Sequence, residues 1–239
     1  MPARSLPMHH MSPWIYDEAQ ARDDLDDFAA LLEPRTPLLE SLDILPFFRA
    51  HADLCALMNV YNPRAMVYDR VGGEVSFFGQ YRADLIVGDA ERRAYTFIEF
   101  EDATEASIFA RTNNQQHPWS ARCEHAMSQI VDWLWITDAH PGSPLLRQTF
   151  GPQPMEIATV LVLGRDHWLI EPNDTTKRER LEWRRNKTII NSQKVYKCTF
   201  DELFNDLCGR AGYRPALATI PPPPARTARP WRTLRRRRP

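Results

Sequence analysis

The sequence predicts an α/β protein with a mixed central sheet flanked by helices. Three observations carry that prediction. Helical and strand patterns alternate along the middle of the chain, in the order helix, strand, strand, strand, helix, strand. Two β-rich runs, Ala83–Gly88 and Ala94–Glu101, flank the short polar turn Asp89–Arg93, which is a hairpin signature. Glu156–Leu163 (EIATVLVL) is an apolar run closed by Gly164, as expected of a buried strand.

Taken in order, residues 1–19 show no periodicity and are expected to form a disordered N-terminal segment, with His9 and His10 a solvated pair. Arg22–Glu33 sets Leu25, Phe28, Ala29 and Leu32 on one face with acids opposite, an amphipathic helix ended by Pro34 and Pro37. A second helix is expected from Pro46 to Tyr61, with Phe47, Phe48, Leu54, Leu57 and Met58 as core. Val75–Phe78 alternates before Gly79 and reads as the strand preceding the hairpin.

Ala103–Pro118 is a long polar connection that leaves the sheet at the acidic end of the Glu99 strand. Such a loop either grips a substrate or is simply mobile. Trp119–Ile136 is a helix with Trp119, Cys123, Ala126, Met127, Ile130 and Leu134 in one apolar stripe. Arg122 and Gln129, seven residues apart, share the edge of that stripe. Thr175–Arg185 is a basic helix interrupted by Glu179 and Glu182. Internal ion pairs are the usual meaning of such a run, and phosphate contact is the alternative. Val195–Cys198 is a short strand, after which Thr199 caps a helix over Phe200–Gly209. One domain over residues 20–209 follows, with residues 210–239 a Pro/Arg-rich disordered tail.

Composition narrows the class. A chain of 239 residues, 43% of them apolar, is long enough to bury a substantial core. Its four cysteines form no C-x-x-C pair, so free thiols in a reducing compartment are expected and a zinc site is not. No apolar run approaches the roughly 18 residues of a membrane span. A cytoplasmic location is the expectation. The net charge of −1 hides an asymmetry: eight of the 30 basic residues follow Asp206 as Arg214 to Arg238, leaving 22 against 31 acids elsewhere. An acidic body with a basic tail allows a polyanionic partner.

The hairpin carries the chemistry. If its turn centres near Glu91 or Arg92, Asp84 falls opposite Ile98 or Glu99, and Glu99 shares a strand face with Glu101. Three carboxylates then gather, at a cost of a few tenths to about 1 kcal/mol for like charges placed opposite. A cation removes that cost, and hard oxygen ligands suit Mg²⁺ or Mn²⁺. The other reading is that these acids point into solvent at a strand end.

ILPFF (44–48), ADLIVGD (83–89), FIEFEDA (97–103), WSARCEHAMSQIVDW (119–133), LEWRRNKTIINSQ (181–193) and TFDEL (199–203) occur in this order. With them the chain resembles the Shedu immune nuclease family of bacterial anti-phage defence, within the PD-(D/E)xK nuclease superfamily. The resemblance spans roughly residues 22–209 and implies a restriction-endonuclease-like αβββαβ core, metal-dependent hydrolysis of DNA phosphodiesters, and a homo-oligomer. Asp84 and Glu99 match the family's metal-binding acids, with the Phe100 carbonyl completing a Mg²⁺ or Mn²⁺ site. Glu101 stands where the motif has Lys, which normally orients the attacking water. Glu101 is then a further ligand or a general base, with Arg122 restoring positive charge and Gln129 orienting water, or else the site is inactive. Arg178, Arg184, Arg185 and Lys187 are the candidates for nucleic-acid contact. Two other classes fit the same residues: a nuclease fold that binds nucleic acid or a phage protein without cutting, and a structural module of a larger defence assembly.

Overall fold

The computed structural model describes residues 3–111, 117–152, 154–170, 176–190 and 193–213. Strands β1 (Ser12–Pro13), β2 (Arg70–Phe77), β3 (Tyr81–Asp89) and β4 (Ala94–Phe100) pair antiparallel in that order. β5 (Glu156–Val162) joins β4 in parallel. β6 (Ile189–Ile190) and β7 (Gln193–Cys198) form a short antiparallel ribbon, and β7 joins β5 in parallel. The mixed α/β architecture is therefore as the sequence predicts.

Helices α1 (Glu18–Leu32), α2 (Leu45–Ala50) and α3 (Ala52–Leu57) precede β2. Between β4 and β5 lie α4 (Ala121–Ala139) and α5 (Pro144–Phe150); α6 (Thr176–Lys187) precedes β6, and α7 (Phe200–Arg210) follows β7. Successive strand side chains point to opposite faces, so the sheet builds two cores. Leu85, Val87, Ile98 and Phe100 pack with Phe28, Phe48, Leu203 and Phe204 on one face. On the other, Ile86, Phe97 and Leu161 pack with Ile130, Trp133 and Phe150. By that alternation Asp84 and Glu99 belong to the face covered by α4. Among the described residues no helix is long and apolar enough to cross a membrane.

Several expectations need correction. Residues 3–19 are not disordered: Leu6 is buried, and β1 pairs with Arg70 and Val71. Main-chain hydrogen bonds run from Gly73 to Pro7, from His9 to Gly73 and from Ala52 to Arg4. Such pairing is tertiary and leaves no periodic trace. Gly72 permits it, because a Cβ there would lie 2.5 Å from the His10 carbonyl oxygen. The tail beyond Tyr213 lies outside the described residues.

The helix expected over 46–61 is broken at His51, which has φ −124° and ψ 68°. The break turns α3 so that all six of its residues are buried. β2 begins at Arg70 rather than Val75, because Gly72 and Gly73 erase the alternation that marks a strand. The connection after β4 is not simply polar either. Ser107, Ile108 and Phe109 are buried, and Ile108 and Phe109 join the core under α4.

Candidate active site

The β3–β4 hairpin sets the site. Leu85 pairs with Ile98, so one step further Asp84 comes to Glu99. There the ladder gives way, and Asp84 Oδ2 accepts the Phe100 N–H at 2.9 Å. The other flank opens at the same level. Pairing of β2 with β3 passes from Gly73–Leu85 to Val75–Ala83, and the skipped Glu74 has a left-handed φ of 47°. A bulge of this kind re-aims side chains beside a functional site. Asp84 is thereby freed from both neighbouring strands to face the α4 side.

α4 supplies the opposite wall. Ser120 caps it by accepting the Cys123 N–H, and Cys123, Ala126 and Ile130 bury its inner stripe. Arg122, His125 and Gln129 then recur on its flank at helical spacing. A cleft of about 650 Å³ is lined by Asp84, Glu99, Glu101, Arg122 and Gln129 together with Glu40. All five side chains predicted for catalysis thus meet in one cavity. Phe100 is different: its ring is core, stacked on Phe48, and only its main chain adjoins the site.

Burial dominates the electrostatics. It pushes Asp84 up to about 7, against the Phe100 N–H that favours the anion, with Glu40 and Glu101 adding to the rise. Glu99, only 5% exposed, is pushed up to about 10 by burial first and then by the Asp84 and Glu101 charges. Glu101 is also raised by burial, and its hydrogen bond from Arg122 opposes the shift. Glu99 Oε2 is buried with no hydrogen-bond partner. An orphaned carboxylate oxygen is costly, and a hard cation satisfies it. Among the described residues no three His, Cys, Asp or Glu side chains form a ready metal-binding group. Two carboxylates, a main-chain oxygen and water are nonetheless a usual set for Mg²⁺.

Arg122 is heavily engaged. Its guanidinium lies 2.9 Å from Glu101, 2.9 Å from Asp102 and 3.6 Å from Glu40. It balances the acids at the mouth of the cleft rather than standing as an unopposed cation. Glu40, Arg82 and His125 also line the cleft and were not foreseen. Glu40 stands 44 residues before Asp84 in a different element, so no local spacing connects them.

The basic helix is not part of this cavity. Arg178, 7% exposed, is held by Asp166, Glu182 and Glu202, and Arg185 shares Glu202. These two do not present a phosphate-binding surface, because their charge is spent fastening α6 to the cap of α7. Arg184 stacks on Trp119, with its guanidinium 4.7 Å from the ring centre, and donates to the His117 carbonyl at 2.9 Å. Lys187 is exposed at the end of α6. The internal-pair reading of this helix therefore holds for Arg178 and Arg185.

No curated protein matches the chain. The family model described as Shedu protein SduA, C-terminal, matches residues 38–204. That interval contains the whole hairpin, α4, and the acids and arginine of the cleft. With most of its length and its entire candidate site inside the match, the chain belongs to the Shedu SduA C-terminal family.

Proposed function

We propose that this chain is a DNA endonuclease of anti-phage defence, hydrolysing phosphodiester bonds with Mg²⁺ or Mn²⁺ in a PD-(D/E)xK-type site. The observation that carries the reading is the orphaned, buried Glu99 Oε2 beside Asp84 in an open cleft. Family membership supports the defence role.

Asp84, Glu99 and the Phe100 carbonyl are the groups that would hold the cation. When bound, it neutralises phosphate oxygens and lowers the pKa of water. The Phe100 N–H fixes Asp84 through Oδ2 and so orients Oδ1 for that task. Asp84 and Glu99 release protons as the site fills, because burial keeps them protonated when it is empty. Glu101 holds Arg122 against the cleft wall, where the guanidinium meets phosphate charge. Gln129 lines the same wall from α4, within the cavity where water is oriented.

The test is incubation of the purified chain with plasmid and linear DNA in Mg²⁺, Mn²⁺ or EDTA. Nicking or linearisation in metal but not in EDTA supports the reading. Retention of DNA in EDTA without cutting in either metal would replace it with a nuclease fold that only binds. That second reading is favoured by one observation: Glu101 occupies the lysine position and has already taken Arg122 as its partner.

A further inference from the structure

Glu40 reaches the cleft from outside the hairpin, and its main chain is fixed there. It opens a five-residue π-turn, Glu40–Ile44, a conformation found mostly at functional sites. Its N–H donates to Asp102 Oδ1 at 2.7 Å, across 62 residues of chain. Leu38 and Ala103 exchange both main-chain hydrogen bonds, at 3.2 and 2.8 Å. The buried Ile44 closes the turn from beneath. Residue 40 is therefore registered against the end of β4 rather than carried on a loose loop.

The three acids around Arg122 are not equivalent. Glu101 and Asp102 each contact the guanidinium at 2.9 Å, whereas Glu40 stands at 3.6 Å. Glu101 is almost wholly buried, so its pairing with Arg122 is the more expensive to break. Glu40 is about a third exposed in its side chain and retains freedom to turn. Its charge also bears on Asp84, Glu99 and Glu101 alike, raising all three. The orphaned Glu99 Oε2 provides the independent sign of a missing ligand in the same cavity.

We propose that Glu40 is the third carboxylate of the cation site, reaching the ion through water, and that Glu101 is committed to Arg122 instead. This rests on the metal-dependent reading above. Mg²⁺ and Mn²⁺ accept such a mixture of direct and water-mediated carboxylates, since Mg²⁺ in particular keeps several waters when bound.

Calorimetric titration of Mn²⁺ into the full chain tests it, using wild type, Glu40→Gln, Glu101→Gln and Asp84→Asn, each also melted in EDTA. The expected results are loss of the site in Asp84→Asn, at least about tenfold weaker binding in Glu40→Gln, and less than about threefold in Glu101→Gln. A purely structural ion pair with Arg122 would instead lower melting in EDTA and leave Mn²⁺ affinity unchanged. Should Glu40→Gln not fold, Glu40→Asp gives the same readout with an intermediate affinity. Wild-type affinity in Glu40→Gln, with the site lost in Asp84→Asn, overturns this proposal and leaves the metal reading standing. A tenfold loss in Glu101→Gln but not in Glu40→Gln also overturns it. Absence of Mn²⁺ binding in wild type overturns both.

Discussion

Arg122 Nη1 donates to Glu101 Oε2 at 2.9 Å, joining the α4 wall of the cleft to the end of β4. Glu101 stands where the resembled motif has lysine, so a cation and an anion have in effect exchanged origins at this site. The carboxylate comes from the strand and the positive charge from the helix.

The pair has a stability consequence. Arg122→Gln leaves Glu101, Asp102 and Glu40 facing one another without a counter-charge. A loss of about 1–3 kcal/mol is expected by urea unfolding, below the full range for a buried pair because Arg122 is partly exposed. The double variant Arg122→Gln/Glu101→Gln should recover part of that loss. Additive single effects would show that the two groups do not interact.

The Asp84–Glu99 pair makes the cation-free protein sensitive to pH. Both carboxyls are raised by burial, Asp84 to about 7 and Glu99 to about 10. The folded state therefore binds more protons than the unfolded state above the ordinary carboxyl range. Stability must fall as pH rises from about 4 through 7 and beyond, by about 1.4 kcal/mol per pH unit for each extra proton the folded state holds. Asp84→Asn should flatten the lower part of this decline in EDTA melts, and Glu99→Gln the upper part. Wild type and both variants with the same slope would show that these acids do not titrate as described.

Cation uptake should show the reverse dependence. Binding displaces protons from the same two groups, so Mn²⁺ affinity in wild type is expected to rise several-fold per pH unit between about 6 and 8. Titrations in buffers of different ionisation enthalpy would reveal the released protons. An affinity independent of pH would place the cation elsewhere.

α6 separates structural from nucleic-acid roles. Arg178→Gln removes the centre of a network with Asp166, Glu182 and Glu202, and should cost about 3 kcal/mol. It should leave unchanged the slope of DNA affinity against salt, which counts phosphate contacts. A shallower slope in a folded Arg178→Gln would return this residue to the binding surface.

Arg184 tests a different kind of contact. Its planar guanidinium stacks on Trp119 and bonds the His117 carbonyl, next to the residue that caps α4. Arg184→Lys should fail to restore the stability lost in Arg184→Ala, which we place at about 1–2 kcal/mol. Full rescue by lysine would reduce the interaction to charge alone.

What the sequence determined by itself was local. The β3–β4 hairpin, the α4 stripe with Arg122 and Gln129 on its flank, and the Thr199 cap of α7 all follow from short-range spacing. Their geometry is fixed by 2.0- and 3.6-residue periods and by nearby polar groups, so they are legible without a fold. The meeting of Asp84 with Glu99 belongs here, since one hairpin register sets it.

Only the tertiary structure decided the rest. Residues 3–19 are ordered by pairing with β2 and by contacts with α3, none of which leaves a periodic mark. The arginines of α6 are bound by acids on α7 and the segment before it, so their meaning depended on neighbours distant in sequence. Glu40 reaches the cleft because Asp102 and Ala103 hold the chain before it against the end of β4. In each case a hydrogen bond or ion pair between remote segments fixes the position. Its partner is chosen by how the layers pack, not by any spacing along the chain.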